Sequence, residues 1–369
     1  MVPCVSTVTV FSFFTGSQTL PVSGTKKCRY KMGLLFDLSK KYKTLSIVGM
    51  AKNAGKTTAL NYLIEEAEDD GIRLGITSTG RDGETVDVVT STEKPRVYLY
   101  EDTIVSVPTK LYDLAEAELE ILEMTKFRTA IGELLLCQVM SSGYVQIAGP
   151  VATADTKKMC GQMFGYGSEL ILIDGAIDRK SIASPETSDA IILSTGAVLS
   201  RTLKKVVRET AHTVELYTLP ELEDEKAREM IRRCSDDEKI SVVKDGEATE
   251  LDLKTGLGSG RFINDAVDKD TEYLFIPGAV TNSVIGEIDP SKLKYFTLVL
   301  KDPTKIFIDS VTWKQLLKRG LKVRVLKNIE VAAVTVNPTA PEGYSFDSDA
   351  LCDEMQKALP DIPVMDVRK

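Results

Sequence analysis

The residues with the most chemical meaning run from Gly49 to Thr58, as Gly-Met-Ala-Lys-Asn-Ala-Gly-Lys-Thr-Thr. A glycine-bounded loop that a strand delivers and a helix leaves turns backbone N–H groups and a helix N-terminus toward the phosphates of a nucleotide. In that arrangement Lys56 sets its ammonium beside the β- and γ-phosphates, and Thr57 offers its hydroxyl to a magnesium ion. Gly55 has no Cβ, so backbone and phosphate can approach closely. Gly49, Lys52, Asn53, Ala54 and Thr58 complete the candidate binding loop. Five residues separate Gly49 from Gly55, one more than the strict pattern allows.

A phosphate loop also needs carboxylates to hold the metal. Asp174 ends the apolar run Leu-Ile-Leu-Ile at 170–173. Asp82 follows another apolar run, in a glycine-containing stretch with Glu84 and Asp87. Lys56, Asp82 and Asp174 are therefore the candidate catalytic residues, and Thr57, Asp82 and Asp174 the candidate metal ligands. Plainer readings stand beside these: a strand-end aspartate in a turn for Asp174, a solvated loop for Asp82. Asp178 and Arg179 lie just beyond Asp174, where either could meet a γ-phosphate.

These side chains have to be positioned by strands and helices, and the apolar pattern supplies them. Thr44–Val48 reads as a buried strand, followed after the loop by an amphipathic helix from about Lys56 to Asp70 that Gly71 stops. Arg73–Ser78, Val145–Ala148, Leu170–Ile173 and Ala190–Leu193 read as further strands, and a basic helix starts near Leu199. Helices are expected over Lys110–Leu122, with its run of acids, and around Thr129–Met140. Ile240–Leu253 alternates around Asp245-Gly246, a hairpin signal. Strands at Tyr273–Ile276, Phe296–Leu300, Lys322–Leu326 and Val331–Val336 alternate with helices at Ser310–Arg319 and Ser348–Leu359. The expectation is an α/β fold with a mostly parallel sheet and a second α/β lobe or insertion. The divisions are a tail or mis-assigned start at 1–31, a nucleotide-binding domain at 32–235 and a C-terminal lobe at 236–369. In one variant of this plan 331–369 completes the first sheet.

Composition narrows the chemistry. The chain has 369 residues, enough for two domains, with 43% apolar and 27% charged residues. His212 is its one histidine, so a zinc site with several imidazoles cannot be built. Six cysteines stand at least 23 residues apart and form no C-x-x-C pair, which points to a reducing, cytoplasmic compartment. A net charge of -8 argues against nucleic acid as a partner. The apolar stretch Val5–Phe14 is too short and too polar to span a bilayer, so no membrane is expected. His212 reads as a helix-end or core residue, and Cys137 and Cys160 as small buried hydrophobes. Gly278–Ser283 is either a second anion-binding turn or a plain strand–helix turn.

The segments VGMAKNAGKTT, ITSTGRDGE, ILIDGA and DAIILSTGA together resemble the SIMIBI class of P-loop NTPases. The likeness is nearest to dethiobiotin synthetase and the molybdopterin-guanine dinucleotide adaptor protein, and it covers roughly Leu45–Ser200. VAAVTVNP at Val331–Pro338 resembles a closing strand of that fold, and the resemblance implies that Asn337 lies near the nucleotide base. The extra activating lysine of one branch of the class would fall at Ala51. Lys52 stands one place later, as in the adaptor branch. The substrate segment of dethiobiotin synthetase survives only as Asp174-Gly175-Ala176.

From Met32 the chain is also similar to the P-loop accessory subunit of the lysine 5,6-aminomutase reactivase. These resemblances imply ATP, or GTP, with magnesium as cofactor. They further imply ATP hydrolysis and a protein partner, in the reactivase case a MutS-like ATPase and a cobalamin-dependent aminomutase, with a homodimer open. Two other readings remain: a Mg-ATP-dependent small-molecule ligase or kinase, and a module that holds nucleotide without turnover.

Overall fold

The computed structural model describes residues 33–79, 96–175, 187–236, 239–251 and 259–368. The 1–31 segment, Asp82, Glu84, Asp87, Asp178 and Arg179 lie outside the described residues. In chain order the first elements are α1 (Leu34–Lys41), β1 (Thr44–Gly49), α2 (Lys56–Asp69) and β2 (Leu74–Ser78). Then come β3 (Val97–Leu99), β4 (Ile104–Pro108), α3 (Thr109–Tyr112), β5 (Glu118–Thr129), β6 (Gly132–Ser141) and β7 (Gly143–Val145). Helix α4 (Thr153–Gly165) leads to β8 (Leu170–Asp174), β9 (Ala190–Gly196), α5 (Leu203–Tyr217) and α6 (Glu225–Asp236). A second group holds β10 (Ser241–Lys244), β11 (Glu247–Glu250), α7 (Gly260–Ala266), β12 (Thr271–Phe275), β13 (Val280–Thr281) and α8 (Asn282–Gly286). It continues with β14 (Thr297–Leu300), β15 (Ile306–Phe307), α9 (Ser310–Lys318) and β16 (Lys322–Val325). The chain closes with β17 (Val331–Asn337), α10 (Ser348–Ala358) and β18 (Val364–Met365).

Nine strands form one sheet in the order β18-β17-β9-β1-β8-β2-β4-β6-β5. Its neighbours are parallel from β18 through β4, and the antiparallel pairings β4–β6 and β6–β5 stand at one end. Strands β1, β8 and β9 are continuous apolar runs because helices cover both faces of this sheet. Leu45, Ile47, Leu170, Ile171, Leu172 and Ile173 are all fully buried. Each such side chain contributes roughly 1.5–3 kcal/mol by leaving water. A separate sheet, β11-β10-β12-β14-β16, lies between α6 and β17 in sequence. Its strands β12, β14 and β16 are parallel, and β10 is antiparallel to both its neighbours, joined to β11 through Asp245-Gly246. The protein is thus α/β with a large, mostly parallel mixed sheet. Among the described residues no helix is long and apolar enough to cross a membrane.

Two expected helices are strands. The stretch expected as helix over Lys110–Leu122 holds only the single turn of α3 before β5 begins, and Thr129–Met140 is largely β6. The acids explain the difference: Glu116, Glu118 and Glu120 recur every second residue, a strand period rather than a helical one. Ile121, Thr125, Phe127 and Thr129 add β-branched and aromatic residues that favour a pleated surface. Gly132, at φ +118°, turns the hairpin. β5 is the free end of the sheet and is blunted as edges usually are. Its register with β6 is broken by irregularities, and the Tyr112 hydroxyl donates to its Leu119 carbonyl at 2.7 Å.

Helix α5 ties the two sheets together through one stripe of side chains. The Trp313 indole N–H donates to Glu215 at 3.0 Å, and the Ser310 hydroxyl to Glu209 at 3.2 Å. His212, buried between them in sequence, sits with Nε2 2.9 Å from the Ile308 carbonyl. The lone histidine is a brace between lobes.

Candidate phosphate-binding site

Strand β1 lies between β8 and β9, and the chain leaving it crosses β8 to reach β2. Crevices of this kind, at the carboxyl ends of parallel strands where connections diverge, are where α/β sheets take ligands. Gly49 pairs with Ser194 of β9, and Met50 N donates to the Ser194 carbonyl at 2.9 Å. The loop then curls through two left-handed residues, Asn53 at φ +63° and Gly55 at φ +99°. Helix α2 starts at once, with Ala59 N donating to Gly55 O at 2.9 Å. Gly55 has no side chain to cap it and the first turn of α2 carries no acid, an arrangement in which the leading amides of a helix can take an anion. Thr57 and Thr58 are half-buried in that turn, Ala54 is buried, and Lys52 and Asn53 are exposed.

Lys56 folds back over the loop. A Cβ on Gly49 would lie 3.2 Å from Lys56 Cγ, so the lysine stem rests on the glycine. Its Nζ donates to Asp174 Oδ1 at 3.2 Å and to the Gly175 carbonyl. Their side chains are 13% and 27% exposed, a half-sheltered ion pair at the tip of β8. Asp174 is registered with Ile47 of β1 on one side and Ser78 of β2 on the other. Gly175 N donates to Ile47 O at 3.1 Å, and Thr79 N to Asp174 O at 3.0 Å, which pins the strand tips together.

Asn337 ends β17, where it pairs with Gly196. Its Nδ2 donates to Asn53 O at 3.2 Å, and a Cβ on Gly55 would lie 3.1 Å from Asn337 Cβ. The side chain therefore braces the left-handed turn of the loop. Lys56, Asp174 and Asn337 thus converge on one corner; Asp82 lies outside the described residues.

Ser78, Thr79 and Gly196 lie within the segments ITSTGRDGE and DAIILSTGA, but carry no individual role legible from sequence. The Ser78 and Thr79 hydroxyls, beside Asp174, are buried and have no hydrogen-bond partner among the described residues. Gly149 runs so close to β2 that a Cβ there would overlap the Ser78 carbonyl, at 1.7 Å. Gly196 is as tight against the Asn337 carbonyl, at 2.1 Å. Gly149, directly after the Val145–Ala148 run, carries the sequence sign of such close approach.

The donors offered to a metal are all oxygen. Thr57 brings a hydroxyl and Asp174 a carboxylate. Among the described residues no group of three or more His, Cys, Asp or Glu is placed to hold an ion. Such a set suits a hard cation that keeps most of its shell as water and phosphate oxygen, which is magnesium's habit. Burial pushes the Cys137 and Cys160 thiols up to about 12, so neither supplies a thiolate. Gly278–Ser283 becomes the two-residue strand β13 and the five-residue helix α8. Comparison of the chain with protein-family models, curated protein sequences and solved structures returned no match.

Proposed function

We propose that the chain binds a nucleoside triphosphate with magnesium at the 49–58 loop, hydrolyses it slowly, and acts as a regulatory or reactivating ATPase on a protein partner. The observation that carries this reading is the meeting of Lys56 and Asp174. Residues 118 apart in sequence come within 3.2 Å at the mouth of an uncapped helix, behind a left-handed glycine. In this reading the loop amides and the first turn of α2 hold the β- and γ-phosphates, and Lys56 neutralises charge that grows on them. Thr57 and Asp174 would hold the magnesium, which draws charge from the phosphate oxygens. Asn337 keeps the loop in its binding shape by holding the Asn53 carbonyl.

A partner role draws support from the second lobe. Strand β9 touches the loop through Ser194, and α5, next in the chain after the β9 turn, grips the second sheet's α9 at Glu209 and Glu215. A change at the loop thus has a contiguous path to the second lobe. The resemblance to the aminomutase reactivase adds the expected partners, a MutS-like ATPase and a cobalamin-dependent lysine aminomutase. ATP is the first candidate nucleotide and GTP the second. The Ser78 and Thr79 hydroxyls, without a hydrogen-bond partner among the described residues, favour one other reading, a Mg-ATP-dependent ligase or kinase whose acceptor they would bind.

Calorimetric titration of the full chain with ATP and GTP, followed by turnover assays, tests the proposal. Binding with slow basal hydrolysis supports it. Fast turnover tied to a small acceptor and independent of any protein reverses the ranking in favour of the ligase or kinase.

A further inference from the structure

We infer that the outer face of α9, in the second lobe, docks an acidic segment of a protein partner that also carries aromatic side chains. The inference rests on the partner role proposed above and names the chemistry of that partner; it does not depend on the nucleotide site. From Ser310 to Ile329 the chain has six lysines and arginines and no acid, in a protein whose net charge is -8. On α9 the inward residues Trp313 and Leu316 are buried, which leaves Val311, Lys314 and Lys318 on the exposed side at helical spacing. Arg319 follows at the helix end. The turn before β14 adds a fourth cation to this face. A Cβ on Gly320 would lie 3.0 Å from Lys294 Cβ, and the Lys294 ammonium stands 5.4 Å from the centre of the Tyr295 ring.

Elsewhere on the surface lysines meet carboxylates: Lys40, Lys158, Lys244 and Lys357 each have one within 3.3 Å. Lys294, Lys314, Lys318 and Arg319 are exposed and make no ion pair among the described residues. The helix dipole accounts for Lys318 and Arg319 at the end of α9. It does not account for Lys314 in mid-helix or for Lys294 on another element. Lys314 and Lys318, four apart, repel and weaken the helix they stand on. A set of carboxylates laid over this face removes the repulsion and pairs the cations together. The apolar groups among them decide the kind of partner. Val311 is 53% exposed, Tyr295 40% and Leu317 38%. Phosphates of a nucleic acid or a lipid headgroup would engage the cations and leave these three wet, whereas an acidic segment with aromatic side chains covers both. Helix α9 is also the one that α5 holds through Ser310 and Trp313, so a partner seated there lies against the element joined to the first sheet.

Fluorescence anisotropy of labelled poly(Glu,Tyr) at low salt reads docking on the full chain, with unlabelled poly-glutamate, duplex DNA and phosphatidylserine vesicles as competitors. The wild type is expected to bind the copolymer, to release it as salt rises, and to prefer it to all three competitors. Lys314→Glu combined with Lys318→Glu should weaken binding about tenfold, whereas Lys158→Glu on α4 should leave it unchanged. Trp313, the one tryptophan of the chain and buried on the same helix, reports by its emission whether α9 keeps its packing. If the doubly reversed chain does not keep it, Lys314→Gln combined with Lys318→Gln decides, with a several-fold loss expected. The inference is overturned if the wild type does not bind the copolymer, if the folded substituted chain binds it as tightly as the wild type, or if DNA or vesicles are preferred. Titrating the same samples with ATP and magnesium keeps the two readings apart. ATP binding without copolymer binding removes the docking face and leaves the nucleotide site standing; copolymer binding without ATP or GTP binding does the reverse.

Discussion

Two of the glycine-containing turns that lead from a strand toward a helix, after β1 and after β12, differ in what surrounds them. After β1 the turn passes through left-handed Asn53 and Gly55 into a 14-residue helix. A lysine stands at its head, and the adjacent strand tip carries Asp174. After β12 the turn passes through β13 into a five-residue helix, too short to project much of a dipole. Its polar groups are already engaged: the Asn282 amide donates to Asp309 at 2.7 Å, and Thr281 and Ser283 share a hydrogen bond of 2.8 Å. Both turns follow strands with a parallel neighbour, and in sequence the second reads either as an anion-binding turn or as a plain strand–helix turn. What separates them is the lysine at the head of the first helix, paired with Asp174, whereas the second turn's side-chain donors are bound to Asp309 and to each other.

Lys56→Ala is the sharpest way to break this contrast. It is expected to weaken ATP binding by about a hundredfold, the worth of a charged hydrogen bond in a sheltered site. Asn282→Ala should leave nucleotide affinity unchanged. Calorimetry on both variants decides, and equal effects would erase the distinction between the turns. Gly55→Val comes next in size. A β-branched residue at φ +99°, with Asn337 Cβ 3.1 Å from the new Cβ, is strained by about 1–3 kcal/mol. Chemical denaturation should show that loss, and nucleotide affinity should fall with it.

How far this contrast was legible beforehand depends on chain separation. The loop itself could be read from Gly49 to Thr58, because an apolar strand, glycines and an amphipathic helix are all local signals. Asp174 was legible as the end of a four-residue apolar run. The acids of β5 misled, since Glu and Leu are good helix formers and their spacing of two was outweighed by propensity. Brace residues left no local sign. Asn337 reaches Asn53 across 284 residues, because β17 returns to pair with β9 after the whole second sheet has been made. No window of sequence contains both. The same holds for His212, whose partner Ile308 lies 96 residues away.

Asn337→Ala tests that long-range brace with a smaller effect. Removing one hydrogen bond to a loop carbonyl costs about 1 kcal/mol. Because the bond fixes Asn53 at φ +63°, part of that cost should appear as a several-fold loss of nucleotide affinity. Asn337→Asp separates bracing from charge: it loses the donor and adds a negative group beside the phosphates, so it should bind more weakly than the alanine variant. If both variants bind as the wild type does, the brace is dispensable.

The smallest effect belongs to the second turn. Asp309 accepts from the Thr312 hydroxyl and backbone N–H, from Asn282 and from Val311 N, and these bonds hold its carboxyl well below the usual carboxylate range. A depressed carboxyl contributes stability that is present above its unfolded value, about 4, and is lost as pH falls toward the folded one. Asp309→Ala removes the cap of α9 and should cost about 1 kcal/mol at pH 7. The gap in melting temperature between wild type and variant should narrow below pH 4, because acid takes from the wild type what the substitution has already removed. Nucleotide affinity should be untouched at pH 7, since the bonds of Asp309 serve α9 and the Asn282 turn alone. A loss of affinity in this variant would mean that the second turn reaches the first through α9 and α5, and the two turns could no longer be treated as separate devices.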